Sequence, residues 1–446
     1  MAIAVEVEKQ SLWHHPNFLK LWASETISQF GTQFSGLAIP FTAILLTANQ
    51  SLAVASTEFG VLNAFGVLAF PLFALFIGVY VDRHRKRRIM VSANLGRGLS
   101  LGLIPLAAVT GTLYSLGLPL LYVVSFFIGL LTVFFDVSYQ AILPFLVDRN
   151  QLVEGNSKLE ASRSSAQVVG PGMAGALLQI VTVARAPFVI AIDALSYVAS
   201  ASFLARLRSE EPIKKPTTSV WHDLREGLAV VLKDARLRSI AGSTATSNFF
   251  SSALFAIFLL YLVRELGFAP GLIGLIFTVG STGALVGVVV SSKLAARFGV
   301  GPAIVVSALT SGLGTAPYFI ANQSLTFTVI RIGPVGSLGT AQLDMNSLIL
   351  MVGSFVTALS VVVYNINQVS LRQAIVPLRL QGRMNASMRW IVWGTLPAGS
   401  LAGGIFGAIL GLRPAIGLAV LGGSLAFLWV LLSPIRSLKK VPEPLE

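Results

Sequence analysis

Cysteine is missing from all 446 residues, which excludes disulfides, thiolate metal sites and cysteine nucleophiles. Charge is almost as scarce. Only 11% of the chain is Asp, Glu, Lys or Arg, whereas a soluble domain carries about a quarter. The four histidines, His14, His15, His84 and His222, lie outside the apolar runs at spacings that suit no metal. No Gly-rich phosphate loop ending in Gly-Lys-Ser or Gly-Lys-Thr is present, so the chain is not a self-contained ATP-driven pump. No cofactor and no enzyme chemistry are expected. What remains is apolar: 54% of residues are hydrophobic, with a mean hydropathy of +0.78. Such a chain reads as an all-α polytopic membrane protein. Its net charge of +13 sits mostly between apolar runs, where cations are topology signals and not a nucleic-acid patch.

A window of about 20 apolar residues predicts twelve spans. In the first half their cores are 20–47, 57–81, 89–113, 118–146, 160–183 and 186–206. In the second half they are 239–263, 270–295, 302–321, 346–373, 386–411 and 414–433. This divides the chain into an N-terminal six-helix bundle (1–206), a linker (207–238) and a C-terminal six-helix bundle (239–446). The linker opens with Glu210-Glu211-Pro212 and Lys214-Lys215-Pro216. Its second part alternates apolar and charged residues at helical spacing around Trp221, which predicts an amphipathic helix at the interface. With twelve spans, all but five of the 32 Lys and Arg fall on one side: Arg185, Arg264, Arg331 and Arg413 are opposite, and Arg97 lies within a span. The positive-inside rule makes the rich side cytoplasmic and puts both termini there. The N-terminal stretch lacks the pattern of a cleaved signal peptide, so the first span is expected to direct insertion. Residues 322–345 read as an exposed loop or a re-entrant segment.

Three patterns carry more than topology. The tract Gly78-Val-Tyr-Val-Asp82-Arg83-His84-Arg85-Lys86-Arg87-Arg88 packs five cations and one carboxylate between two spans. An internal repeat sets Phe59-Gly60 and Gly66 of the second span against Ile273-Gly274 and Gly280 of the eighth. In the same way Gln140-Ala-Ile-Leu-Pro144 returns as Gln373-Ala-Ile-Val-Pro377. The basic tract has decayed in the second copy, where Ala296 and Ser292 stand opposite Asp82 and Gly78. Parallel repeats of this kind imply two matched halves. The fifth span holds Val169-Gly170-Pro171-Gly172-Met173-Ala174-Gly175, in which proline kinks a helix and small residues permit close packing.

The basic tract resembles the loop between the second and third helices of the major facilitator superfamily. The proline motif resembles that family's fifth-helix exporter motif, with Ala174 in place of a glycine. LWASETISQFGTQFSGLAIPFTAIL, LTVFFDVSYQAILPFLV, LVEGNSKLEASRSSAQVVGPGMAG and LRLQGRMNASMRW are similar to the bacterial twelve-span drug/proton antiporter branch that includes macrolide efflux proteins and the enterobactin exporter. The resemblance implies a monomeric transporter of the bacterial inner membrane, exporting amphipathic small molecules of drug or siderophore type against proton entry by alternating access. It also implies a gating role for Gly78, Asp82, Arg83, Arg87 and Arg88. There Gly78 lets helices approach and Asp82 lies near a neighbouring helix N-terminus. Gly170, Pro171 and Gly175 form the fifth-helix motif. Where the branch often carries an acid after the glycine of the first span, this chain has Thr32, so no proton site carries over to it.

Proton coupling requires a group whose charge changes between states, and membrane carboxylates are the natural choice. Only Glu25, Asp136 and Asp193 lie well within predicted spans, all in the first half. Arg97, Glu160 and Arg163 fall near the same level, so static pairing is the competing role for Asp136. Glu265 and Asp344 are expected to be solvated at outer helix ends. By resemblance the first, fourth, seventh and tenth helices line the central cavity. Gln29, Gln33, Asn248, Phe249, Tyr364, Asn365 and Gln368 are its candidate lining, a mixture of amide and aromatic groups suited to amphipathic compounds. Packing between helices is the competing role for each. An uptake symporter and a non-transporting sensor or scaffold are the alternative functions.

Overall fold

The computed structural model describes residues 11–148, 151–208, 211, 220–325, 328–332 and 341–439. In the first half the helices are α1 (Pro16–Leu46), α2 (Leu52–Arg83), α3 (Lys86–Val109), α4 (Leu113–Ile142), α5 (Leu152–Val181) and α6 (Ala186–Ala205). A shorter α7 (Val220–Lys233) precedes α8 (Ala235–Arg264) and α9 (Pro270–Phe298). The bent pair α10 (Val300–Leu313) and α11 (Ala316–Ile320), then α12 (Met345–Ile375) and α13 (Leu378–Leu410), follow. The chain closes with the pair α14 (Leu412–Leu425) and α15 (Leu428–Leu431). Among the described residues ten helical segments are long and apolar enough to cross a membrane, counting α10–α11 and α14–α15 as one each. The long α1 and α5 fall short of that apolarity, and each packs among the others. Long helices are what lipid permits, because they satisfy every backbone polar group within the segment.

Helix packing groups α1 with α5 and α6, α3 with α4 and α6, and α2 with α4. On the other side α8 packs with α13 and α14, and α12 with α9 and α10. The two groups meet along α2–α13 and α5–α9. Both seams are built on paired glycines. A Cβ at Gly60 would lie 2.8 Å from Cα of Gly404, and one at Gly175 would lie 2.9 Å from Cα of Gly274. Close approach of this kind replaces the hydrophobic driving force that lipid removes. The repeat in the sequence thus has a physical meaning, since Gly60 and Gly274 each serve one seam. Arg264 adds a hydrogen bond from Nη2 to the Thr47 carbonyl, 2.6 Å, beside the same end of the bundle. Near the middle of the α2–α13 seam, the Phe70 and Trp393 rings lie 4.2 Å apart, centroid to centroid and tilted by 37°. There Trp390 also donates Nε1–H to the Pro71 carbonyl at 3.2 Å. The glycine pairs and Arg264 hold the two groups together at the end opposite the basic tract, and the aromatic contacts continue the α2–α13 seam toward its middle.

Three expectations need correction or refinement. Of residues 322–345, read as an exposed loop or re-entrant segment, 326–327 lie outside the described residues. Thr328–Ile332 and Ala341–Asp344 pair as an antiparallel two-stranded hairpin, with Ile330 opposite Leu343, so the fold carries a small β element. Residues 333–340 lie outside the described residues. Asp344 is the N-cap of α12 and accepts from the Ser347 N–H at 2.8 Å. Glu265 is not freely solvated: it is half-buried, and burial pushes its carboxyl up while Arg413 opposes the shift. In the linker, residues 212–219 and the Trp221 side chain lie outside the described residues. The amphipathic α7 is present and docks on α13. Its Gly227 meets the Arg383 carbonyl, Glu226 pairs with Arg383, and the Leu224 carbonyl accepts from Ser387 at 3.2 Å.

Candidate functional site

Polar groups are buried together in the first half of the chain. Arg97 of α3, 5% exposed, lies between the rings of Phe135 and Tyr197, each centroid 4.3 Å from its guanidinium carbon. It donates to Asn94 Oδ1, and Asn94 Nδ2 donates to Ser200 Oγ at 2.7 Å. Ser200 and Ser24 share a hydrogen bond of 2.6 Å, and Tyr197 and Thr32 share one of 2.9 Å. The network ties α3, α6 and α1 by neutral groups around one cation. Thr32, which stands where the branch often has an acid, is therefore part of that cation's support.

The three predicted carboxylates occupy different surroundings. Glu25 is buried; its Oε1 accepts from Gln29 Nε2 at 2.7 Å, while Oε2 is buried with no hydrogen-bond partner. Asp193 is buried and accepts from Ser196 Oγ at 3.1 Å. Asp136 is exposed on α4, in the field of Arg97, Arg163 and Arg389. Among the described residues no cation lies within 4.0 Å of it, so the static ion pair weighed from the sequence is not formed here. Arg389 is on α13, in the other group of helices, and interacts in turn with Arg372 of α12. Glu25 and Asp136 feel one another, and Tyr139 of α4 senses both of them together with Glu160 and Arg163. Glu25 and Asp136 therefore lie within electrostatic reach of each other, and Asp193 lies within reach of Arg97. Arg372, Arg389 and the aromatic clamp on Arg97 were not singled out in the sequence. Their partners come from helices distant in the chain, and no local pattern in the sequence marks them.

The lining candidates separate in the same way. Asn248, Tyr364 and Asn365 line a cavity of about 270 Å³ with Ser247, Ser251 and Phe255. Asn248 also donates to the Val392 carbonyl at 2.8 Å, and Tyr364 bonds Thr244 at 2.9 Å. Gln29 serves Glu25, and Gln33 packs beneath Gly170, whose Cβ would come 2.2 Å from it. Gln368 is buried, with its amide nitrogen 3.5 Å from Asn365. Phe249 packs its backbone against Gly399. In the fifth-helix motif, Gly170 seats α1 and Gly175 seats α9, with the Pro171 carbonyl against Gly274.

The basic tract departs from its sequence reading at two residues. A Cβ built at Gly78 meets nothing within 4 Å, so no helix approaches there in this state. Asp82 is exposed, and among the described residues it has no hydrogen bond or ion pair. The carboxylate at the α3 N-terminus is Glu211 of the linker, which accepts from the backbone N–H groups of Lys86 and Arg87. Arg87 in turn reaches the Ala205 carbonyl. Arg83 and Arg88 are exposed.

A sequence model of the Major Facilitator Superfamily matches residues 21–253, just over half of the chain. Macrolide efflux protein A of Streptococcus pyogenes is 27% identical over 236 residues, which cover 52% of this chain and 55% of that protein. The chain thus matches about half the length of this curated relative. A crystal structure described as a bacterial homologue of the iron transporter ferroportin in an inward-facing state superposes with a TM-score of 0.70 at 17% identity, covering 96% of this chain and 100% of that one. A structure of such a homologue in an outward-facing state gives 0.58 at 17% identity, covering 93% and 98%. At these identities the likeness concerns the fold.

Proposed function

Because the chain belongs to the Major Facilitator Superfamily, we propose that it is a secondary transporter that exports amphipathic small molecules in exchange for protons. Its two rocking bodies are residues 1–206 and 239–446, joined by 207–238. The observation that carries the reading is the pair Glu25 and Asp136. One is buried with an unpartnered oxygen, and the other is exposed at the open end within its electrostatic reach. A proton arriving at Asp136 has a short path to a site that burial isolates from water. Tyr139 and Gln29 lie beside that path. Asp193, buried and already hydrogen-bonded, is the reserve candidate.

Energetics allow one site to suffice. One proton crossing 100 mV yields about 2.3 kcal/mol, and each pH unit adds about 1.36 kcal/mol. Concentrating a neutral substrate roughly hundredfold costs about 2.7 kcal/mol. The name of the macrolide efflux relatives favours export of drug-type amphiphiles, and the cavity at Asn248, Tyr364 and Asn365 offers amide, hydroxyl and aromatic contacts for them. The charge asymmetry supports cytoplasmic termini, and the family resemblance supports residence in a bacterial inner membrane. Asp82, unpaired in this open state, is assigned to the closed basic end.

In vesicles with an imposed pH gradient, Glu25→Gln should bind substrate yet transport it independently of the gradient. Asp136→Asn should slow the same step. Full pH-driven efflux in both variants would sink the assignment. Flux of the opposite sign under the same gradient would make the protein an uptake symporter.

A further inference from the structure

We infer that the cleft between α2 and α3 at the basic end is a binding site for the headgroup and first acyl segment of an anionic phospholipid. Although α2 and α3 are joined by a very short connection, they hardly touch along their lengths, and α4 packs behind both. The result is a wedge of about 810 Å³, open at the side of the bundle. Its mouth is lined by Arg83, His84, Arg85 and Arg88, its floor by Leu131 and Phe134 of α4. Ile89, Ser92 and Ala93 continue the wall along α3 toward mid-bundle. Polarity therefore falls with depth along the direction an amphiphile would lie.

The mouth is cationic without internal compensation. Among the described residues no carboxylate lies within 4.0 Å of Arg83, Arg85 or Arg88. Asp82 is not part of the lining, and Glu211 is engaged on the backbone of Lys86 and Arg87. The Tyr80 ring stacks on His84 at 4.0 Å and meets Phe134 edge-on at 5.8 Å, which gives the mouth an aromatic side. Arginine forks suit phosphate oxygens. A choline or ethanolamine ammonium would meet Arg83, Arg85 and Arg88, so a net anionic headgroup is favoured over a zwitterionic one. The apolar floor distinguishes a lipid from a free phosphate, which would leave Leu131 and Phe134 uncovered.

The test uses the full-length protein in neutral detergent, titrated with short-chain phosphatidylglycerol, short-chain phosphatidylcholine, glycerol phosphate and inorganic phosphate. Bound species are counted by native mass spectrometry. One phosphatidylglycerol should saturate, with phosphatidylcholine at least about tenfold weaker. Each cation near an anionic surface contributes about fivefold, so R85Q/R88Q should weaken the lipid about thirtyfold. The control pair R436Q/K439Q, basic but outside the cleft, should retain it. Ser92→Phe, which fills the exposed wall without changing charge, should also displace the lipid. Equal loss in the control pair, equal binding of phosphatidylcholine, or unchanged binding in both R85Q/R88Q and Ser92→Phe would overturn the inference. Displacement by glycerol phosphate or inorganic phosphate at equal concentration would do so as well, by assigning the site to a soluble phosphate.

Discussion

Arg97 holds its charge where water does not reach, and its supports are unusual in being neutral: two aromatic faces, one amide oxygen and a tyrosine hydroxyl. Such a cation sets the field for Glu25, Asp136 and Asp193 without pairing with any of them. Arg97→Gln removes the charge and strands Asn94. Hydrogen bonds to charged groups are worth about 1.5–3 kcal/mol, so the variant should lose stability of that order, read as a lowered unfolding temperature in detergent. Arg97→Lys keeps the charge but not the planar stacking, and should lie between the two. Equal stability of all three would show that the clamp contributes nothing. Asp82→Asn makes the opposite expectation. Asp82 is unpaired in this state, so the variant should unfold at the wild-type temperature and yet transport slowly. Loss of stability there would mean that Asp82 is already engaged with the basic end open.

Glycines separate the seams from the loops at the scale of elements. Gly175 has the Pro270 carbonyl 2.5 Å from where its Cβ would stand, whereas Gly78 has open space. Gly175→Val should therefore force α5 and α9 apart, at about the 1–3 kcal/mol typical of overpacking. It should also bias the protein away from the state open at the basic end. Gly78→Ala should be neutral or stabilising by about 0.4–1 kcal/mol, through the unfolded chain. Thermal unfolding of the two variants side by side decides the matter. At the junction of α7 and α8, Asp234 caps α8 through the N–H groups of Arg236 and Leu237, at 2.8 and 3.1 Å. Burial works against its ionisation, but these donors and the Arg236 guanidinium outweigh it and hold the carboxyl below its ordinary 3.8. A depressed carboxylate gives stability that is present at neutral pH and lost as pH falls through the folded value. Asp234→Ala should thus cost about 1 kcal/mol, a loss constant from neutrality into mild acid and shrinking only in strong acid. A loss that varies around neutral pH would contradict the assignment.

The whole molecule has two unlike ends. One carries the basic tract, α7 and the exposed Asp136; the other is drawn together by Gly60 on Gly404, Gly175 on Gly274 and Arg264 on Thr47. The absence of cysteine makes its orientation directly measurable. Exposed Ser157 and Ser51 lie at opposite ends of the bundle. In intact cells an impermeant thiol reagent should label Ser51→Cys and spare Ser157→Cys. The reverse pattern would invert the topology.

Hydropathy, charge placement and the repeated glycines determine a helical membrane fold with an internal repeat, because a bilayer enforces span length and keeps cations at span ends. They also single out Glu25 and Asp136, since a carboxylate in an apolar run is conspicuous wherever it lands. Partners were another matter. Which carboxylate meets the α3 N-terminus depends on where the linker folds back, and Glu211 takes the position expected of Asp82. The neighbours of Asp136 come from α3, α5 and α13, elements far apart in the chain. The closeness of Gly60 to Gly404, and the emptiness beside Gly78, depend on how the halves are tilted against each other. Local spacing carries no record of that tilt, because it is fixed only when two distant surfaces pack.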